Sequence, residues 1–423
     1  MLLFLYDLAW TLVLIFSLPL LTFSSGRRLA DKLGLRLPHN HSKKRNIWIH
    51  ALSVGEVISS LPLITAITER YPSRTIALTV KTSQGMKIAR DKLSGKVDML
   101  VPMPLDFWWS ARRIIRYVNP SVFILLETDI WPGLLSLLKR KGVKAVLVNG
   151  RISPGTFRSY RRYGFFMKQA LNSLEECLMQ TDLDTKRLRE VGLKINSVTT
   201  VGNIKFDRSW IPLKDKERDY WTNLMNFGPG NRIWVAGSTH PGEDEILLDT
   251  FEKLIVHFPE LRLIIAPRRP ERAHDICLLC RAKGFEVLRR TEAGDNGESQ
   301  CQVLVLDSMG ELSRVYGIAD VSFVGGSMVP FGGHNLLEPA GLGCPVLFGR
   351  HTHNFVRMAQ LLIDAGGGKR VKDADDLFFI MNDLLSDNTK LAEMAFRAKK
   401  FVGKNRGALE RVMDRIGGYI EAS

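Results

Sequence analysis

Val321-Ser-Phe-Val-Gly-Gly-Ser-Met-Val-Pro-Phe-Gly-Gly-His-Asn-Leu-Leu-Glu-Pro-Ala340 reads as a buried strand, a glycine-rich turn and a helix that starts near Asn335. Gly325, Gly326, Gly332 and Gly333 remove side chains where backbone N–H groups must close on a ligand. A helix start adds orphan N–H donors and a partial positive charge, which suits a phosphate. Glu338 falls about one turn into that helix, in reach of the hydroxyls of a sugar attached to such a phosphate. The stretch therefore predicts a nucleotide or nucleotide-sugar site late in the chain. A glycine loop that serves only tight packing is the alternative.

Working outward, strands and helices alternate on both sides of this stretch. In the first half, strands are predicted at Asn46–Leu52, Thr75–Val80, Asp98–Pro102, Val122–Leu126 and Ala145–Asn149. Helices fall between them at Gly55–Tyr71, Ser83–Lys92 and Trp131–Lys141. After a polar stretch with proline and tryptophan (Phe206 to Gly230), strands follow at Arg232–Ala236, Leu261–Ala266, Glu286–Leu288, Val303–Leu306, Val321–Val324 and Pro345–Phe348. Helices are predicted at Glu243–Phe258, Glu271–Lys283, Gly310–Ala319 and Asn335–Gly343, and Arg289 to Gln300 as a surface loop. Such alternation implies parallel sheets covered by helices, hence an α/β chain with two Rossmann-like domains facing across a cleft. Ligand residues are then expected just beyond strand ends.

The chain has 423 residues, enough for two domains and an attachment segment, and its 45% hydrophobic content is that of a globular protein. The 59 Lys and Arg against 44 Asp and Glu give a net charge of +15, which fits nucleic acid, an anionic membrane or a phosphorylated substrate. No base-stacking module or recognition helix supports nucleic acid. The cysteines at 177, 277, 280, 301 and 344 are odd in number and scattered, as reduced thiols are. Neither Cys277-Leu-Leu-Cys280 nor His351-Thr-His353 has the further ligands of a closed metal site, so no metal and no cofactor are expected.

Leu2 to Phe23 is almost wholly apolar, interrupted by Asp7 and Pro19, and is followed by Arg27, Arg28, Lys32 and Arg36. Its length predicts an N-terminal membrane-anchor helix over residues 1–26, and the following positive charges put the rest on the cytoplasmic side. A helix lying in the interface meets the same pattern. Arginines at 112, 113, 116, 158, 161 and 162 mingle with Phe107, Trp108, Trp109, Tyr160, Tyr163, Phe165 and Phe166, a mixture suited to anionic lipid headgroups.

Ile47-Trp-Ile-His-Ala-Leu-Ser-Val-Gly-Glu56 is a strand running into a helix start. Ser53-x-x-Glu56 has the form of a capping box. Equally, Gly55 opens space beside Glu56, whose carboxylate could take a proton from an attacking hydroxyl. The helix start would lower its pKa and keep it ionised. Taken with Glu127-Thr-Asp-Ile-Trp-Pro132, Gly202-Asn-Ile-Lys-Phe-Asp207, Ala236-Gly-Ser-Thr-His240, Pro267-Arg-Arg-Pro-Glu-Arg272, Gly332-Gly-His-Asn-Leu-Leu-Glu-Pro-Ala340 and Phe348-Gly-Arg-His-Thr-His-Asn354, the ordered set resembles the 3-deoxy-D-manno-octulosonic acid (Kdo) transferases of lipopolysaccharide biosynthesis.

The resemblance implies a B-type glycosyltransferase fold with an anchor (1–26), an acceptor domain (27–205), a linker (206–230) and a CMP-Kdo-binding domain (231–423). It implies an inverting enzyme of the inner membrane that moves Kdo from CMP-Kdo to a lipid A precursor (lipid IVA), twice in succession. Glu56 matches the family's catalytic base and Glu127 a second acidic residue, which would otherwise be an ion pair holding its strand end. Lys205 could reach the donor, or simply be solvated. Ser238 and Thr239 either touch the donor or cap the next helix, Arg268 takes its phosphate or carboxylate, and Met309-Gly310-Glu311 lies against the cytosine. Gly332, Gly333 and Asn335 take the phosphate and Glu338 the ribose. Arginine stands at 269 where the family has histidine, and glycine at 133 where it has asparagine. Another B-type enzyme using a UDP-sugar, or a non-enzymatic membrane-tethered protein that binds anionic lipid, remain the alternatives.

Overall fold

The computed structural model describes residues 6, 10–12, 33–34, 37, 42, 44–127, 129–193, 197–208, 213–224, 230–293 and 301–422. The chain forms two compact units, Met1–Arg208 with Asn405–Ser423, and Ser209–Lys404. The first carries seven strands: β1 Asn46–Ala51, β2 Thr75–Val80, β3 Met99–Pro102, β4 Pro120–Leu126, β5 Lys144–Gly150, β6 Glu176–Met179 and β7 Val198–Thr200. Their order is β3-β2-β1-β4-β5-β6-β7, and every neighbouring pair is parallel. The strands are near-continuous apolar runs because helices cover both sheet faces. Every residue of β1 and of β4 is buried, and Trp48 and Phe123 meet edge to face inside one of the two cores.

The second unit holds β8 Arg232–Thr239, β9 Leu261–Pro267, β10 Val287–Arg289, β11 Val303–Val305, β12 Val321–Val324, β13 Val346–Phe348 and β14 Gly368–Arg370. They form a second all-parallel sheet in the order β10-β11-β9-β8-β12-β13-β14. In each sheet the connections reverse direction between two adjacent strands, β1 and β4 in the first and β8 and β12 in the second. A crevice opens beyond the carboxyl ends of strands at such a reversal, and ligands of doubly wound sheets bind there.

Several sequence expectations change. Helix Ala408–Glu421 packs in the core of the first unit, so that region leaves the second domain to which 231–423 assigned it. Its apolar positions Val412, Met413, Ile416 and Ile420 line one face, and Asp207 accepts from the N–H groups of Gly407 and Leu409 at its start. The stretch read as a linker contains helix Asp215–Leu224, whose Trp221 is buried against Ile233 and Val235 of β8. The helices at 310–319 and 335–343 shrink to Leu312–Tyr316 and Leu337–Gly341. Gly310, at φ +92°, delays the first of these, and Gly343, at φ +81°, marks the end of the second. The apolar segment 2–23 lies outside the described residues except for positions 6 and 10–12. There the Tyr6 ring packs on Phe166 and Trp10 on Phe107 of the first unit. Among the described residues no helix is long and apolar enough to cross a membrane. The expected loop at Arg289 to Gln300 begins with the end of β10 and a 3-10 turn at Arg290–Glu292, and beyond Ala293 it too lies outside the described residues.

Candidate active site

In the first unit, β1 and β4 deliver Glu56 and Glu127 to the reversal of the sheet. Helix Val54–Arg70 starts right after β1, and Glu56 sits in its first turn, buried to 7% exposure. The capping box does not form: the Ser53 side chain makes no cap bond, and the Glu56 carboxylate accepts instead from the Leu52 N–H at 2.5 Å. The expectation of a lowered pKa is also overturned. Burial dominates and lifts the Glu56 pKa from 4.5 to about 8; the Leu52 N–H opposes it, Glu127 and Asp129 add to it, and Lys205 opposes it. A carboxyl held so near neutrality is tuned as a general base.

Glu127 directly follows β4 with φ +58°, a left-handed conformation that costs a non-glycine residue roughly 1–3 kcal/mol. Two contacts hold it: its N–H donates to the Val148 carbonyl (3.0 Å), and its carboxylate accepts from Lys205 Nζ (2.7 Å). Lys205, read from sequence as a donor ligand, thus stands among the acids of the first unit. Its positive charge steadies Glu127 and draws the Glu56 pKa downward.

A second layer supports these acids. His50 in β1 is fully buried, with Nδ1 2.9 Å from Thr79 Oγ1 and Nε2 3.3 Å from Asp129 Oδ2. Trp131 Nε1 donates to the same Asp129 oxygen at 2.7 Å, and Lys81 Nζ lies 4.5 Å over the Trp131 ring. Burial alone would raise the Asp129 pKa, but His50, Lys81 and Trp131 outweigh it and hold the group below its usual range. The unusual Gly133 also has an explanation. Asp106 accepts from the N–H groups of Gly133 and Leu134, both at 2.8 Å, and a Cβ at 133 would meet its carboxylate at 2.9 Å.

The pH–rate curve follows from this cluster. Activity that needs ionised Glu56 should rise as pH climbs through about 8. Lys205→Met should move that rise to higher pH and lower the plateau, as seen in kcat/KM against pH. An unmoved curve would show that Lys205 does not act on Glu56.

In the second unit, β8, β9, β11 and β12 bring Ser238, Thr239, Arg268, Met309, Gly310, Glu311, Gly332, Gly333, Asn335 and Glu338 to the carboxyl edge of one sheet. Ser238, at φ +60°, occupies a bulge in β8. The Arg268 side chain is exposed and makes no hydrogen bond or ion pair among the described residues, whereas Arg272 pairs with Asp244. Met309 is 76% exposed beside Gly310, which has no neighbour in the direction of a Cβ, so the backbone there is open to a flat ligand. Glu311 accepts from Ser308 and Arg290.

The glycine loop differs from expectation. Glu243, fully buried, fills its nest of donors: the N–H groups of Gly326 (2.7 Å), Ser327 (2.9 Å), Met328 (2.9 Å) and His240 (2.9 Å) all point at this carboxylate. Those N–H groups are therefore committed to an internal anion rather than open to a phosphate. The N–H of Gly333 is likewise given to the Gly326 carbonyl (2.7 Å), and a Cβ on Gly332 would strike Asn354 and His353. Asn335 accepts from the Leu337 N–H at 3.2 Å, just ahead of Leu336, the N-cap of a helix of only five residues. Above the nest, His240 and His334 stack with Nε2 atoms 2.9 Å apart, and Phe331 stacks on His240. Among the described residues no group of three or more His, Cys, Asp or Glu is placed to hold a metal ion.

Glu243, His240, His334, His50 and Asp129 escaped the sequence reading. Four of them lie inside the motifs quoted above. Glu243 has the form of an ordinary helix-start acid, and only its three-residue spacing from His240 hinted at more.

Solved structures share this architecture at low sequence identity. A glycosyltransferase from Rickettsia africae matches 90% of this chain and 100% of its own at TM-score 0.57 and 12% identity. A UDP-N-acetylglucosamine 2-epimerase from Neisseria meningitidis, bound to UDP-N-acetylglucosamine, matches 88% and 99% at TM-score 0.58 and 13% identity. At those identities the likeness is one of fold: two parallel-sheet α/β units of the B-type glycosyltransferase kind. The family model described as 3-deoxy-D-manno-octulosonic-acid transferase (kdotransferase) matches residues 27–208. A 3-deoxy-D-manno-octulosonic acid transferase from Haemophilus influenzae is 32% identical over 93% of this chain and 92% of its own length. One from Bordetella pertussis is 29% identical over 88% and 87%. The chain belongs to the 3-deoxy-D-manno-octulosonic acid transferase family and is a glycosyltransferase.

Proposed function

We propose that the enzyme transfers Kdo from CMP-Kdo to a lipid A precursor, lipid IVA, in two successive additions with inversion at the anomeric carbon. Family membership supports the sugar, and the tuned Glu56 is the observation that carries the chemistry. Its carboxylate takes the proton of the acceptor hydroxyl as that oxygen attacks the anomeric carbon. The bond to the phosphate oxygen breaks, its electron pair stays on CMP, and the phosphate gains a negative charge. Glu127 and Lys205 hold the charge balance around the base, and Lys205 keeps Glu56 ionisable. Donors fixed before the reaction stabilise such developing charge at little reorganisation cost.

The donor side is assigned to the second unit. Arg268, whose side chain has no hydrogen bond or ion pair among the described residues, faces the phosphate or the Kdo carboxylate, and the exposed Met309–Gly310 backbone receives the cytosine. Ser238, Thr239, Glu311, Gly332, Asn335 and Glu338 line the same strand edge. Tyr163 (58% exposed), Phe165 (74%) and Trp108 (42%) rise among Arg112, Arg161 and Arg162 on the first unit, close to where Tyr6 and Trp10 pack. That surface suits the anionic inner-membrane face on which a phosphorylated lipid acceptor would lie.

Incubation with CMP-Kdo and lipid IVA, presented in anionic or in neutral vesicles, tests the assignment by mass spectrometry. Two sugar increments are expected, formed faster on anionic vesicles. A single increment would correct the number of additions. Transfer from a UDP-sugar instead, or no product at all, would overturn the reading.

A further inference from the structure

The pair His240–His334 stands at the reversal of the second sheet and has no role in the chemistry described so far. The two rings are nearly parallel (7°), with centroids 5.1 Å apart and Nε2 atoms at 2.9 Å. At that separation one Nε2 donates and the other accepts, because two N–H groups would collide and two lone pairs would repel. One ring is therefore the Nε2–H tautomer and its partner the Nδ1–H tautomer. The first ring keeps a bare Nδ1, so the pair can accept one further proton without losing the bridge, and a second only by breaking it. Among the described residues neither Nδ1 has a hydrogen-bond partner.

The surroundings are built for this pair. Gly326 lies beneath it, and a Cβ there would come within 3.1 Å of the His334 ring and 3.4 Å of His240. Phe331 closes the outer face of His240 at 4.0 Å. Glu243, the residue that precedes helix Asp244–His257, takes the His240 backbone N–H. Arg272, Arg268 and Arg269 act electrostatically on His240, and Arg272 is itself paired with Asp244. Burial first, and then these arginines, lower the pKa of His240; burial and Arg268 lower that of His334 to about 4. The resting pair is neutral at physiological pH.

We propose that the His240–His334 pair takes up one proton when a nucleotide phosphate sits beside Arg268, and gives that phosphate an N–H from Nδ1. An anion among the arginines offsets their share of what keeps the pair neutral, and by linkage the protonated pair binds the anion more tightly. The proposal rests on the reading that the second unit holds a cytidylate donor. It adds that the site meets the charge gained by the departing phosphate with a mobile proton, while the acceptor proton goes separately to Glu56.

Titration calorimetry of the full chain with CMP, in two buffers of different ionisation enthalpy, tests this. Work at about pH 7.5 keeps CMP itself dianionic, since the second phosphate pKa is about 6. Net proton uptake of no more than one per site is expected, none with cytidine, and CMP affinity should tighten as pH falls from that point. Replacing both rings, His240→Gln with His334→Gln, should abolish the uptake and weaken CMP about tenfold, the worth of one modest hydrogen bond. Buffer-independent heats together with pH-independent affinity in the wild type would overturn the proposal without recourse to any variant. So would undiminished uptake in a folded protein carrying both His240→Gln and His334→Gln. No CMP binding at all would overturn the donor reading, and this inference with it.

Discussion

Glu56→Gln is expected to lower kcat for transfer by about 10²–10⁴-fold, the usual worth of a positioned general base, while leaving the fold and CMP binding intact. Glutamine keeps an oxygen to accept the Leu52 N–H, so the local backbone has no reason to move. The same substitution should stabilise the protein, and increasingly so as pH rises. The folded-state pKa of Glu56, about 8, lies above its ordinary value of 4.5. The proton-linked stability is present below 4.5 and is lost as pH climbs through 8, because the unfolded chain gives up its proton first. Glutamine has no proton to lose. The gap in melting temperature between variant and wild type should widen across that window, with a ceiling of about 5 kcal/mol from the size of the shift. An enzyme that lost neither activity nor this pH-dependent deficit would refute Glu56 as the base.

Glu243→Leu is the second large effect expected. It removes the acceptor of four buried or part-buried backbone N–H groups at once and leaves them without partners in a loop that has no room for water-sized rearrangement around Gly325 and Gly349. At about 1–3 kcal/mol for each stranded donor, a loss of roughly 4 kcal/mol or more is anticipated, seen in calorimetry as an earlier transition of the second unit. CMP binding should fall with it, because His240, His334 and the 326–333 loop all hang on this carboxylate. Glu243→Gln should lie between the two, since its NH₂ group faces donors. A Glu243→Leu protein with wild-type melting and CMP affinity would show that the carboxylate is incidental.

The architecture was legible where runs of branched and aromatic residues were long enough to fill a strand buried on both faces. β1, β2, β4, β8 and β9 stand out on that ground. β6 and β7 did not, because Glu-Cys-Leu-Met and Val-Thr-Thr are short and carry polar residues that only tertiary contacts accommodate, such as the ion pair of Glu176 with Arg415. Helix Ala408–Glu421 is amphipathic enough to be seen, but nothing local says which core its apolar face will join. At the site, strand ends and glycines marked the right edges of both sheets. The ionisation of Glu56 was misread because a helix dipole is visible in sequence and burial is not. The glycine loop invited a phosphate reading for a related reason: N–H groups converging on an anion look alike whether the anion is a ligand or the protein's own Glu243.

The route of the backbone has a consequence for biosynthesis. Residues 405–423 complete a unit that residues 1–208 began, so all of the other unit is translated in between. Until those last turns emerge, the side of the opening sheet where Val122, Ile124 and Val146 meet Val412 and Ile416 stays partly bare. A nascent chain with oily β-structure uncovered for so long is a natural client for chaperones, and the half made last can be the first to finish folding.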